Sequence, residues 1–334
     1  MVRFGKAISV NHVPSSSNRL AGNVKVYEGD IDSDVPNGGY VLALIMEACI
    51  RYQSSTAHID PIHVTAHYLR TTYILPFEVH VRTLKTGKGF TNLSAELIQD
   101  GVLRVTIHAV FGVNAPSPTD KFQLTLAPPS TYARRLPLYS HPSKAVVKPM
   151  RHTWKFHHQI QWAYDPEILK KNLPDAANRT NSNTVGGGGL EWGAWFEFTD
   201  KEERITSPSL VFLVDIFLNT PSLLPKSEKP GLTTSWFPTM TLSVEFKAPI
   251  PPPSSKHAAR TVGLYSLGRF MTHPQGRHDV YVEVWTAPSD VIGTGNPADG
   301  WRDNQVCLAT AMQMTLTLPM EANERNAKRN TPKL

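Results

Sequence analysis

Cysteine is nearly absent from this chain of 334 residues: Cys49 and Cys307 are the only two. That is too few for a disulfide framework, and it fits a reducing compartment. No apolar run approaches the roughly 18 residues of a membrane-spanning helix, and Met1-Val2-Arg3-Phe4-Gly5-Lys6 lacks the apolar core of a signal peptide. These absences predict a soluble, intracellular protein, cytoplasmic by default. The ending Pro332-Lys333-Leu334 is one residue from the peroxisomal Ser-Lys-Leu and keeps that compartment as the alternative. There is no Gly-x-Ser-x-Gly elbow, which argues against a serine hydrolase of the α/β type. Gly186 to Gly189 lack the Lys-Ser/Thr of a phosphate loop. No zinc spacing, basic helix or stacking-motif strand points to nucleic acid. His157 and His158, adjacent in an expected strand, point to opposite faces and cannot share a metal. The sequence therefore calls for no cofactor and no metal.

What is present begins with Val35-Pro36-Asn37-Gly38-Gly39-Tyr40, which opens an apolar run through Ile50. A Gly-Gly pair at a helix start leaves backbone N–H groups accessible, and the positive end of the helix can polarise a carbonyl oxygen. When it stands alone, such a pair is more often plain loop-to-helix punctuation. Four strands follow, His63 to Arg70, Glu78 to Arg82, Phe90 to Ile98 and Val102 to Phe111. The last two are joined by Asp100-Gly101, a tight hairpin signal. One helix followed by an antiparallel meander is a complete small layout.

The chain is longer than a usual single domain. Prolines crowd residues 116–150, the mark of a linker. A second unit then repeats the pattern. Lys155 to Trp162 and Leu190 to Phe198 read as strands, and Ser207-Pro208 caps a second buried helix through Phe217. Thr241 to Phe246, Arg260 to Leu267, Asp279 to Trp285 and Val306 to Leu318 read as strands again. The expected division is 20–115, a linker at 116–150, 151–320 and a flexible tail at 321–334. Where the first unit has its short hairpin, the second inserts Ala287 to Asn304, a loop expected to cover a pocket mouth.

Several pieces, in this order and spacing, resemble the acyl-CoA thioesterase II-like branch of the thioesterase superfamily: Pro36-Asn37-Gly38-Gly39-Tyr40, His67-Tyr68-Leu69-Arg70, Gly87-Lys88-Gly89-Phe90, Val214-Asp215, Phe237 to Val244, and Ala311-Met312-Gln313. The resemblance covers nearly all of residues 20 to 320. It implies an α+β double hotdog: two tandem units, each an antiparallel sheet wrapped around a long helix, fused as a pseudo-dimer that leaves room for assembly into a homo-oligomer. It also implies hydrolysis of an acyl thioester of coenzyme A or an acyl-carrier protein, in fatty acid or polyketide metabolism. The net charge of +6 suits such phosphate-bearing substrates, although scattered lysines and arginines on a solvated surface account for it as well.

In that family an Asp, Thr and Gln of the second half hold the attacking water, while helix N–H groups bind the thioester oxygen. Carried over, Gln313 takes the glutamine's place and Thr272 corresponds to the threonine, while Thr241 occupies the aspartate's position. Thr241 cannot accept a proton at neutral pH as a carboxylate does. Asp215, an acid inside an apolar run, is the substitute base, and Glu47 is its first-half counterpart. His63, the first-half counterpart of Thr241, is a further proton-transfer candidate, with His67 on the same strand face. Gly38, Gly39 and Tyr40 are the expected substrate-binding backbone. A displaced aspartate also admits a recruited dehydratase, isomerase or cyclase, or a non-catalytic acyl-binding protein.

Overall fold

The computed structural model describes residues 3–14, 24–31, 37–116, 122, 124–148, 157–173, 185–232 and 234–323. The C-terminal Pro332-Lys333-Leu334, Met1-Val2, Val35-Pro36 and Lys155-Phe156 lie outside them. The first half runs α1 (Phe4–Ala7), β1 (Asn11–Val13), β2 (Val24–Asp30), α2 (Gly38–Gln53), β3 (Asp60–Tyr68), β4 (Pro76–Thr86), β5 (Thr91–Gln99) and β6 (Val102–Gly112). Strict alternation makes β4: Phe77, Val79 and Val81 are buried while Glu78 and Arg82 are exposed. Asp100 and Gly101 both take positive φ, 50° and 71°, the geometry of the tight hairpin between β5 and β6.

The second half runs β7 (Val146–Lys148), β8 (Ile160–Tyr164), α3 (Pro166–Lys171), β9 (Leu190–Phe198), α4 (Ser207–Leu213), α5 (Thr220–Leu223), β10 (Ser235–Trp236), β11 (Thr239–Phe246), β12 (Thr261–Gly268), β13 (Met271–Thr272), β14 (Arg277–Thr286), β15 (Cys307–Thr315) and β16 (Leu318–Pro319). One antiparallel sheet runs through both halves in the order β1-β2-β4-β5-β6-β3-β11-β15-β14-β12-β9-β8-β7. Read outward from the β3–β11 seam, the first half is β3-β6-β5-β4-β2 and the second is β11-β15-β14-β12-β9. The two orders are the same pattern, so the chain is a double hotdog. The seam is a ladder of backbone bonds from Thr241 opposite His67 to Glu245 opposite His63.

The helices sit side by side on the concave face. From Gly39 to Cys49 every α2 residue except Glu47 is buried, as expected of a helix enclosed by sheet and neighbour. Each fully buried aliphatic side chain there, such as Leu42, Leu44 and Ile45, contributes about 1.5–3 kcal/mol. The partner α4 is much shorter. Its N-cap is Thr206, one residue before the expected Ser207, in a capping box with Ser209 and with Pro208 in the first turn. It ends at Leu213 with Val214 as C-cap rather than running to Phe217, which leaves Asp215 just past the helix.

The convex face of the second half is covered by the proline-rich segment. Leu136 and Leu138 pack with Ala163, Ile168, Trp195 and Trp285 in a second apolar cluster, and Arg134 pairs with the buried Glu283 at 2.9 Å. The inserted Ala287 to Asn304 loop lies here too. Ile292 N–H donates to Glu197 at 2.8 Å, Arg302 donates to the Leu136 carbonyl at 2.7 Å, and Trp301 packs edge-on to His141. The loop is therefore a clamp on the linker and not a pocket cover, because Ala287, Ile292 and Trp301 are spent on this cluster. His157 and His158 sit in a 3-10 turn instead of a strand. Among the described residues no helix is long and apolar enough to cross a membrane, and no group of His, Cys, Asp or Glu has the arrangement of a metal site.

Candidate active site

Asp215 is the meeting point of the two halves. With α4 closed by the backbone bond from Val214 to the Leu210 carbonyl, the next residue projects its carboxyl at the N-terminus of α2. Oδ2 accepts a hydrogen bond from Gly39 N–H at 2.7 Å, and Oδ1 accepts one from Gln313 Nε2 on β15. The same Nε2 donates to Thr239 Oγ1 at 2.8 Å. Only glycine fits opposite the acid. A Cβ on Gly39 would stand 2.5 Å from Asp215 Cβ and 2.8 Å from the Phe212 carbonyl oxygen. The Gly-Gly signal is thus explained by helix-to-helix contact as well as by the bond it gives to the acid.

Burial pushes the Asp215 carboxyl from its ordinary 3.8 up to about 6, with the Gly39 N–H and the Gln313 amide pulling the other way. Gln313 is 2% exposed. Its amide presents nitrogen to the carboxylate, so its Oε1 is left as a buried acceptor with no hydrogen-bond partner among the described residues. An orphaned acceptor of this kind costs about 1–3 kcal/mol unless a donor occupies the place beside it. Each carboxylate oxygen of Asp215 also has lone-pair capacity left.

Two N–H groups of the helix start are engaged by side chains. Asn37 caps α2 by accepting from Tyr40 N–H at 2.8 Å, while the Tyr40 hydroxyl donates to the Ala7 carbonyl at 2.8 Å. The two N–H groups expected to face a thioester oxygen, those of Gly39 and Tyr40, are given to Asp215 and Asn37. That corrects the expectation that they stand open for substrate. The Gly38 carbonyl accepts from the Tyr68 hydroxyl at 2.7 Å, and burial together with the nearby Asp215 charge raises the Tyr68 pKa.

The other expected residues lie elsewhere. Thr241 pairs across the seam with exposed His67 and on its other side with Met314. It shares the convex face with them, while Leu242 and Val244 point into the core. His63 is on that same convex side, with Nε2 2.9 Å from Ser243 Oγ, and burial lowers its pKa. Thr272 is exposed on a short hairpin beside Arg277. Glu47 pairs with Arg51 at 2.7 Å, eight positions along α2 from Gly39, about 12 Å at the helical rise. None of these five is hydrogen-bonded to Asp215 or Gln313, because each belongs to the opposite sheet face, a distant turn or the far part of the helix.

Thr239 is the residue that sequence reading missed. Alternation back from buried Leu242 places Thr239 and Thr241 together on the outer face. A register shift between them, a β-bulge at Met240, inverts the phase and turns Thr239 inward to Gln313. An Asp, a Thr and a Gln are thereby brought together in space, Asp215 and Thr239 both accepting from Gln313 Nε2. Pro238, immediately before Thr239, is a trace of the irregularity in the sequence.

Profiles of the acyl-CoA thioesterase N-terminal and C-terminal domains match residues 28–112 and 142–296 respectively. Among solved structures the chain is similar to a Thermobifida fusca YX protein provisionally described as a thioesterase II, with a TM-score of 0.63 at 18% identity, covering 96% of this chain and 98% of that one. It is similar to a hot dog fold protein of unknown function from Alicyclobacillus acidocaldarius, with a TM-score of 0.60 at 16% identity over 95% and 98% of the two chains. It is also similar to acyl-CoA thioesterase II TesB2 of Mycobacterium marinum, with a TM-score of 0.59 at 12% identity over 96% and 100%. At such identities the likeness speaks to the fold. No curated protein matches the sequence. With one profile on each half in the order of the duplication, the chain belongs to the acyl-CoA thioesterase family.

Proposed function

We propose that the chain hydrolyses the thioester of an acyl-CoA or an acyl-phosphopantetheine carrier with a water held by Asp215, Thr239 and Gln313. The observation that carries this reading is the orphaned Oε1 of Gln313 beside an acid whose pKa is close to neutrality. A water donating one proton to Asp215 and the other to Gln313 Oε1 satisfies both, while the Thr239 hydroxyl, already accepting from Gln313, retains its own proton to donate to the water oxygen. Attack on the thioester carbon passes a water proton to Asp215. Collapse of the tetrahedral intermediate breaks the C–S bond and returns that proton to the thiolate, so one water yields one carboxylic acid and one thiol. A base near pKa 6 is ionised at neutral pH yet still able to hold a proton in transit.

Presence of the carboxylate removes the reason for favouring a recruited dehydratase, isomerase or cyclase. The test is free-thiol release across short, long and aromatic acyl-CoAs, comparing the native chain with Gln313→Ala. Release by the native chain and a fall of about 100-fold or more in the variant, within the usual worth of positioned proton transfer, supports the reading. No release from any substrate by folded native protein overturns it and leaves acyl binding without turnover.

A further inference from the structure

A cavity of about 530 Å³ opens in the second half, between α3, Trp192 and Gly193 of β9 and the segment Leu218 to Lys229. Its size is within the range of small-molecule sites, about 300–1,000 Å³. Its walls are apolar, with Ile168, Trp192, Leu218 and Leu223 on different elements. Three lysines line it as well, Lys148 on β7 and Lys226 and Lys229 in the Leu218 to Lys229 segment, the last donating to the Pro221 and Ser222 carbonyls, and among the described residues no acid does. Lys148 and Lys226 are exposed, which puts their ammonium groups on the solvent side of an apolar chamber.

The cavity is separate from the trio. Gln313 is on β15, and the strand bearing Trp192 is reached only across β14 and β12, about 14 Å at the usual strand spacing. Between them Thr220 of α5 packs on the backbone at Gly268, where an added Cβ would collide with it. Yet the chain runs directly from Asp215 to the cavity wall at Leu218, three residues on.

We infer that this cavity is a second binding site, for an apolar chain that carries an anionic head group. The chain lies against Trp192 and Leu223, and the head meets the lysines at the mouth. A long-chain carboxylate and a long-chain phosphate ester share that chemistry, and so does an acyl-CoA. A neutral or cationic amphiphile lacks a partner for the lysines.

Isothermal titration of the full chain with laurate, dodecyl phosphate, lauroyl-CoA, dodecanol and dodecyltrimethylammonium, all below their micelle concentrations, reads the site directly and without reference to turnover. Using Asp215→Asn as the background prevents lauroyl-CoA from being consumed, and native protein is titrated with the other probes. Expected is binding of laurate or dodecyl phosphate at least tenfold tighter than of dodecanol or the cation. The ranking of laurate, dodecyl phosphate and lauroyl-CoA identifies the source of the head group. Lys148→Glu with Lys226→Glu weakens that binding at least tenfold and leaves thiol release within twofold of native. Leu223→Trp, which fills the chamber, abolishes it. The surface charge pair serves if the buried substitution fails to fold. Failure of the folded chain to bind any anionic amphiphile, equal binding of the cation, or indifference to the lysine reversals overturns the inference. Thiol release without such binding overturns this site and leaves the hydrolysis standing.

Discussion

Replacing Asp215 by Asn is expected to abolish activity and stabilise the fold at the same time. In the native protein the carboxyl titrates near 6 against an ordinary 3.8, a rise of about two units, and each unit corresponds to about 1.4 kcal/mol. A raised acid binds its proton more tightly when folded. The stability it contributes is therefore complete below pH 3.8, falls as pH rises through 3.8 to 6, and is absent above, for a total of at most about 3 kcal/mol. Asparagine carries no charge and escapes this loss. It offers a single acceptor, so either Gly39 N–H or Gln313 Nε2 loses its partner until Gln313 turns its amide, a loss of about 1 kcal/mol. The net expectation is a variant about 1–2 kcal/mol more stable than native at pH 8, with the advantage shrinking and reversing toward pH 4. Urea denaturation midpoints at pH 4, 6 and 8 measure it, and thiol release measures a fall of at least about 100-fold in kcat/KM. A variant less stable than native at pH 8, or a difference that does not change with pH, refutes the premise that Asp215 ionises against its surroundings.

Native kcat/KM should rise with pH through an acid limb near 6, the ionisation of Asp215, and a pH–rate profile flat from 5 to 8 would exclude that group as the base. Thr239→Val should lower kcat/KM by about 10-fold or more, while Thr241→Val, on the convex face, should leave it within about twofold; equal effects would return Thr241 to consideration. Gly39→Ala forces a methyl to within 3.0 Å of the α4 carbonyls of Phe212 and Val211, an overpacking cost of about 1–3 kcal/mol, and breaks the bond to Asp215, so a lower denaturation midpoint and an acid limb moved above 6 are expected. Tyr68→Phe removes the donor to the Gly38 carbonyl and should cost about 1 kcal/mol of stability, read from the same denaturation curves.

Much of the architecture follows from local chemistry. Period-two alternation in β4, the Asp100-Gly101 turn, the apolar α2 and the near repeat of the whole pattern after a proline-rich segment each depend on neighbours a few residues apart, so the linear chain carries them. The double hotdog and Gln313 came from the family resemblance that this order carries, and Asp215 from its place as an acid inside an apolar run. Two things did not. The bulge at Met240 depends on how β11 pairs with β15, and a one-residue slip of this kind exchanges the faces of a strand; the family alignment, blind to it, nominated Thr241 and Thr272 and passed over Thr239, the hydroxyl that meets Gln313. The engagement of Gly39 with Asp215 depends on α4 ending at Leu213, with Val214 as C-cap, beside the start of α2, an encounter between residues 176 positions apart. Residue types and spacing determined which groups were available for chemistry. Long-range packing decided which of them meet, because a carboxylate, a hydroxyl and an amide become a site only when buried contacts hold them within hydrogen-bond reach.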